Sequence, residues 1–389
     1  MLPRERVLAA LEHREPDRIP WGEHSIDYNV YEDILGRETL VQAKMRTTQA
    51  YWDGRRDEVV ESYKRDRLDL IRALEMDIVF VSAVPPKDYH SEPMVKLDEE
   101  TYRDEQGHLY HVSSTTHDLM PYKRNVEAYV PSTLESLQEE IDRLEEEPVG
   151  HPADSEWEFV RHAVTEMGDT HFAMLLCGDV AFPGFGATEE EFWMNLLLEP
   201  EICQKIAELQ GKRLLRQIPL FAQLGVDGIM PCGDLGSSTG MLASPQIYRD
   251  MVYPWNKAMA DEAHRHGLKI LKHCCGHTWP VIEELAEIYD AYEGIQASAG
   301  MDIRQLKERV GDRLCLWGGI WHEHIILGAP QDIRDDARYA FEYAAPGGGY
   351  IMGSTHSLAV DAKVENILEM KRCRDEWGIY PIAPRRFQE

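Results

Sequence analysis

Ten residues, Leu268–His277, read Leu-Lys-Ile-Leu-Lys-His-Cys-Cys-Gly-His and bring together four metal-ligand side chains, His273, Cys274, Cys275 and His277. The segment begins as a strand, in which side chains alternate between faces. His273 and Cys275 therefore share one side, and Cys274 turns to the other, into packing. Gly276 allows a sharp turn. An imidazole and a thiolate side by side at a strand end suit Zn²⁺, which then needs further ligands from elsewhere in the chain. His and Cys also serve as plain core residues, so the surrounding elements must decide.

Those elements follow a regular pattern. Strands are expected near residues 19, 77, 173, 229, 270, 293, 315 and 350, separated by helices with apolar faces, such as 331–344 with Ile333, Ala337, Ala340, Phe341 and Ala344. Ser132-x-x-Glu135 and Thr188-x-x-Glu191 read as capping boxes, Ser244-Pro245 opens a helix with a kink expected at Pro254, and Gly378 ends the last helix. Eight strands alternating with helices predict a (β/α)₈ TIM barrel, one domain over residues 1–389. Residues 87–130 are polar and weakly alternating, and are expected to form a small β-hairpin insertion. A doubly wound open sheet is the rival, but no Gly-x-Gly-x-x-Gly marks a strand-to-helix turn.

In a barrel all strand C-termini meet at one face, which carries the site. Polar residues gather at those ends: Glu23 and His24 after the first strand, Asp179 after the third, Asp234 after the fourth, His273 and Cys275 after the fifth, Gln296 after the sixth, His322 and His324 after the seventh, and His356 after the eighth. His273, Cys275 and His356 are the expected zinc ligands, with a fourth position left for water or substrate. His277, His322, His324 and Asp234 are reserve ligands. Hydrogen-bonded histidines at a polar mouth are the alternative use of the same residues.

Composition limits the partners. The chain has 389 residues, 43% of them hydrophobic, and a formal charge of −28 from 41 basic and 69 acidic side chains. Such a surface repels phosphate backbones and anionic membranes, so neither nucleic acid nor membrane is an expected partner. The start of the chain reads as an amphipathic helix, and no apolar run reaches spanning length. Seven dispersed cysteines, an odd number, fit a reducing cytoplasm.

Several segments resemble the uroporphyrinogen decarboxylase superfamily: Arg4-Glu5-Arg6-Val7-Leu8-Ala9-Ala10-Leu11, Pro16-Asp17-Arg18-Ile19-Pro20, Asp234-Leu235-Gly236 with Ser244-Pro245 and Pro254, and Gly347-Gly348-Gly349-Tyr350-Ile351 with Glu365-Asn366. The resemblance covers almost the whole chain and implies a TIM barrel. The carboxylate-gripping Arg-Gln-Ala-Gly-Arg and the Phe-Ser-Asp of the true decarboxylases are replaced by Trp21-Gly22-Glu23-His24-Ser25 and Phe80-Val81-Ser82. The corrinoid-dependent methyltransferase branch is closer, because it shares a His-x-Cys-Gly after the fifth strand, here His273-Cys274-Cys275-Gly276. That branch carries a third ligand, typically Cys, after the eighth strand, where this chain has His356.

The resemblance implies an enzyme with a zinc site that moves a methyl group from a small substrate, such as a methyl ether, to cobalt(I) of a corrinoid (cobalamin) protein, an O-demethylase reaction. Two imidazoles and one thiolate leave zinc with charge +1, a better Lewis acid than the neutral one-imidazole, two-thiolate site. Asp234 or Glu23 would pass a proton to the leaving group. Trp21, His24, Phe182, Gln296, Trp317, Trp321 and His322 are the expected substrate contacts. No Asp-x-His-x-x-Gly corrinoid motif is present, so the corrinoid is expected on a partner protein; a homodimer is an allowed assembly. The alternatives are a methylcorrinoid:thiol methyltransferase and a decarboxylase.

Overall fold

The computed structural model describes residues 1–382. Its frame is a curled sheet of seven parallel strands: β1 (Ile78–Val81), β6 (Phe172–Cys177), β7 (Gly228–Pro231), β8 (Lys269–His273), β9 (Ala291–Glu293), β10 (Cys315–Ile320) and β11 (Tyr350–Ser354), adjacent in that order. Helices run between successive strands, as parallel pairing demands.

The expected first strand is reduced to one bridge pair, Trp21 with Met352. It still fills the eighth place. Met352 N–H donates to Pro20 O (2.8 Å) and Gly22 N–H to Met352 O (3.2 Å) on one side, while Asp77 N–H donates to Trp21 O (2.7 Å) on the other. Trp21 N–H donates to the Asp77 carboxylate at 2.9 Å. Pro20 lacks a backbone donor, so a longer ladder through this segment would lose a bond. The result is the predicted α/β barrel, closed by a short seam.

The barrel interior is apolar at the bottom. Val7, Ala10 and Leu11 of the helix Pro3–Leu11 plug it against Phe172, Met174, Met230, Leu271, Ala291, Trp317 and Ile351. Inward positions recur every second residue along a strand. One step above Leu271 is therefore His273, above Ala291 is Glu293, and above Trp317 is Gly319. The apolar plug and the polar mouth are successive layers of one alternation.

Residues 95–123 form a separate antiparallel sheet of four short strands, β2 (Val95–Lys96), β3 (Thr101–Arg103), β4 (Leu109–Val112) and β5 (Leu119–Lys123), rather than the two strands of a hairpin. Its tip is tied down where Tyr28 OH meets His117 Nδ1 (2.9 Å) and Lys44 pairs with Asp118 (3.2 Å).

Two local expectations shift. Thr133, not Ser132, caps the helix Leu134–Glu146, and Ser136 supplies the reciprocal bond. The helical stretch after Ser244 widens into a π turn over Tyr248–Val252, just before Pro254. Pro254 has no N–H for the carbonyl four residues back, and the wider turn absorbs that missing bond.

Candidate metal centre at the barrel mouth

His273 ends β8, and Cys275 follows two residues later on the same side. The turn between them and His277 lies backbone to backbone against the turn after β7. Gly276 has φ +81°, and a Cβ there would sit 2.3 Å from the Gly236 carbonyl carbon, so only glycine fits. Cys275 N–H donates to Asp234 Oδ1 (2.9 Å), Gly276 N–H to Gln296 Oε1 (3.0 Å) and His277 N–H to Ser237 O (2.8 Å). Cys274 points outward into the core, where its sulfur accepts from Leu235 N–H at 3.2 Å.

Glu293, only 1% exposed, organises the imidazoles. One carboxylate oxygen meets His273 Nδ1 and the other meets His24 Nδ1 at 3.1 Å. Burial opposes its charge, but the two histidines outweigh burial and hold the carboxyl well below the usual range. The His273 pKa is raised: burial lowers it, and the Glu293 charge more than reverses that. With Nδ1–H given to Glu293, the His273 Nε2 lone pair is free and directed at Cys275 Sγ, 3.5 Å away. A tetrahedral ion with bonds of ~2.0 Å to nitrogen and ~2.3 Å to sulfur holds those atoms about 3.5 Å apart.

Two compact ligand sets occur among the described residues, His24–His273–Glu293 and Asp234–His273–Cys275, each with ligand atoms within 4.8 Å of one another. The second has an open face, since Asp234 is exposed. Burial raises the Cys275 thiol pKa, and the charges of Asp234 and Glu293 raise it further. The nearest ammonium does not relieve them. Lys272 lies on the opposite face of β8, fully buried, bound to Asp179 and to Gly233 O (2.7 Å). Acidic donors gathered without a cation of their own fit a divalent ion, and a carboxylate behind the ligand histidine is the usual support for one.

The expected residues separate into groups. His273, Cys275 and Asp234 converge. His356 does not join them: its ring centroid is 6.1 Å from that of His273, and its Nδ1 accepts from Ser357 N–H at 2.7 Å. The same Nδ1 also lies 2.9 Å from Ser357 Oγ. Burial and the neighbouring histidines push the His356 pKa down to about 4. Asp234, expected as a proton carrier and reserve ligand, has its carboxylate within 4.8 Å of the His273 and Cys275 ligand atoms.

Glu23 is also relocated. Its carboxylate accepts from Trp21 Nε1 (2.9 Å), Ser354 N (3.1 Å) and Ser354 Oγ (2.5 Å) within the barrel seam. Burial pushes its pKa up to about 7. It is spent on closure and does not face the mouth. Trp21 is fully buried against Arg374, and Trp317 is the floor of the mouth, fully buried, with Nε1 bonded to Gly22 O (3.0 Å). Phe182 packs edge-on against Trp193 in the outer core. All three side chains are buried, Trp21 and Trp317 completely and Phe182 at 5% exposed. Gln296 pins the Gly276 turn, so its role is positional. His24 and His322 remain at the mouth, His322 with its ring 5.2 Å from His356. Trp321 stacks on His324 at the rim.

Glu293 and Lys272 were not singled out from sequence. Lys272 stands in β8, which also carries Lys269, and Glu293 ends β9; a charged side chain at a buried strand position is the signal that marks them. Cys232, just after β7, was not singled out either: it bridges to His273 and is exposed at the mouth.

The family model for uroporphyrinogen decarboxylase (URO-D) matches residues 184–377, a span that contains Asp234, His273, Cys275, Glu293 and His356. A comparison with curated proteins finds no match. Among solved structures, a methyltransferase from Methanosarcina mazei is similar in fold, with 16% identity and a TM-score of 0.64 over 97% of this chain and 99% of that one. A chitinase from Chromobacterium violaceum shares 10% identity and a TM-score of 0.33 over 54% of this chain and 94% of that one, a likeness too low to support any inference.

Proposed function

We propose that this chain is a zinc-dependent methyltransferase, taking a methyl group from a small methylated substrate at the barrel mouth and passing it to cobalt(I) of a corrinoid carried by a partner protein. The observation that carries the reading is the His273 Nε2–Cys275 Sγ pair at 3.5 Å, backed by Glu293. The similarity in fold to the Methanosarcina mazei methyltransferase is consistent with it.

His273, Cys275 and Asp234 would hold the ion and leave its outer face to the substrate. On one imidazole, one thiolate and one carboxylate zinc would be formally neutral, a weaker Lewis acid than the +1 centre expected with His356, and would supply that Lewis acid to the substrate heteroatom. Glu293 fixes the His273 tautomer and orientation. His24 replaces Glu23 as the proton carrier: Glu293 holds its Nδ1–H, and a proton on Nε2 can pass to the leaving heteroatom. The balance is simple. The carbon–heteroatom bond breaks with its electron pair staying on the heteroatom, which gains the His24 proton, and the methyl carbon bonds to the acceptor. Trp317 closes the floor, so the methyl group must leave by the mouth through which it entered.

The test is metal analysis followed by transfer to free cob(I)alamin, monitored as methylcobalamin absorbance, with a panel of methoxyarenes, methylamines and methyl thioethers. Zinc retention and donor-dependent methylcobalamin formation, both lost in Cys275→Ser, are expected. A protein that stays metal-free after zinc loading under reducing conditions would overturn the reading. Demethylation of methylcobalamin driven only by added thiol would reverse the direction.

A further inference from the structure

A second cavity of about 210 Å³ lies behind the rim, between the ends of β9 and β10 and the helices Ile303–Val310 and Pro330–Tyr343. None of the metal-centre residues lines it. Its walls are mostly apolar, from Ile295, Met301 and Ile303, with Trp321 and Tyr339 beside two carboxylates, Asp302 and Asp336.

The carboxylates are unequally occupied. Asp302 Oδ1 accepts from Gln305 N–H (2.9 Å) and Oδ2 from Tyr339 OH (2.8 Å). Asp336 is 9% exposed, and its Oδ2 accepts from Trp321 N–H (2.9 Å) and His324 Nδ1 (2.8 Å). Among the described residues no hydrogen bond reaches Asp336 Oδ1, and that atom is not sealed from solvent. Lysine and arginine are absent from the lining. The neighbouring guanidinium groups are engaged elsewhere, Arg304 with Glu308 and Arg338 with Asp335. A carboxylate nine-tenths buried, with one oxygen still open, favours a positive or donating ligand there.

We infer that this cavity is a binding site for a small organic ammonium ion. The charge would answer Asp336, the alkyl carbons would take the apolar wall, and the rings of Trp321 and Tyr339 favour a cation over a neutral molecule of the same shape. His324 covers one face of the Trp321 indole, 9° from parallel, and holds that wall in place. The volume is below the ~300–1,000 Å³ of pockets for drug-sized ligands, which restricts the occupant to a few non-hydrogen atoms. A hard divalent cation is a poor match, because it needs six or more oxygen ligands and this lining is largely hydrocarbon.

The experiment is calorimetric titration of the full-length protein with tetramethylammonium and with methylammonium chloride, and with tert-butanol as an uncharged molecule of similar shape. Saturable binding of an ammonium ion, at least about tenfold tighter than tert-butanol, is expected. Asp336→Asn should abolish that preference while keeping an acceptor for Trp321 N–H. Trp321→Leu, which leaves both carboxylates in place, should weaken binding independently. Cys275→Ser should bind as wild type, which separates this site from the metal centre. No saturation, equal binding of tert-butanol, unchanged affinity in both cavity variants, loss of binding in Cys275→Ser, or displacement by Mg²⁺ or Ca²⁺ would each overturn the inference.

Discussion

Replacing Glu293 with glutamine should weaken zinc binding by about 10- to 100-fold, or roughly 1.4–2.8 kcal/mol. Glu293 accepts two imidazole N–H groups, from His273 and His24, through its two oxygens. A glutamine has one accepting oxygen and one donating amide, so only one histidine can keep its Nδ1–H. If His24 gives way, His273 keeps its tautomer but loses the carboxylate's charge, and the lower end of the range applies. If His273 gives way, its proton moves to Nε2 and the ligand is lost, which sets the upper end. The measurement is competition for zinc against a chromophoric chelator, for wild type, Glu293→Gln and His24→Ala. His24→Ala should stay near wild type, because Glu293 retains His273. Wild-type affinity in Glu293→Gln would refute the argument that this carboxylate prepares the ligand.

The other predictions concern charge. The raised pKa of the Cys275 thiol keeps it protonated at neutral pH in the metal-free protein, so zinc must displace that proton. Apparent zinc affinity should therefore climb at least about tenfold per pH unit across roughly pH 7–8, the raised His273 pKa steepening the rise, measured with the same chelator. Asp234→Asn should reduce zinc affinity more than His356→Ala, since only Asp234 belongs to the compact ligand set; the reverse order would restore His356 as the ligand. Glu23, pushed from 4.5 to about 7, binds more protons folded than unfolded between those values. Its contribution is fully present below about pH 4.5 and is lost as pH rises through about 7. Glu23→Gln should flatten this part of the pH–stability curve and stabilise the protein above about pH 8 by up to about 3 kcal/mol, read by denaturant unfolding. Lys272→Met should cost about 3–5 kcal/mol by leaving Asp179 buried and unpaired, and adding Asp179→Asn should recover part of it.

The layered barrel and one edge of the site are legible from residue order alone. Alternating strands and helices require a parallel sheet, because a chain must cross over to pair parallel strands, and the alternation within Leu268–His273 puts His273 inward with Cys275 following on the same side. Those are local consequences of backbone geometry. The first strand was harder to read, since its pairing reduces to one bridge at Trp21 beside Pro20, and its existence depends on partners at Asp77 and Met352. Tertiary structure alone decided which distant groups met the His273–Cys275 edge. Glu23 and His24 are neighbours in sequence, yet one is spent on the barrel seam and the other shares Glu293 with His273. His356 follows the expected strand, but Ser357 takes its Nδ1. Asp234 reaches the ligand set because its carboxylate holds the Cys275 backbone. Periodicity assigns a side chain to a face, but the partner it finds there depends on strands far away in the chain.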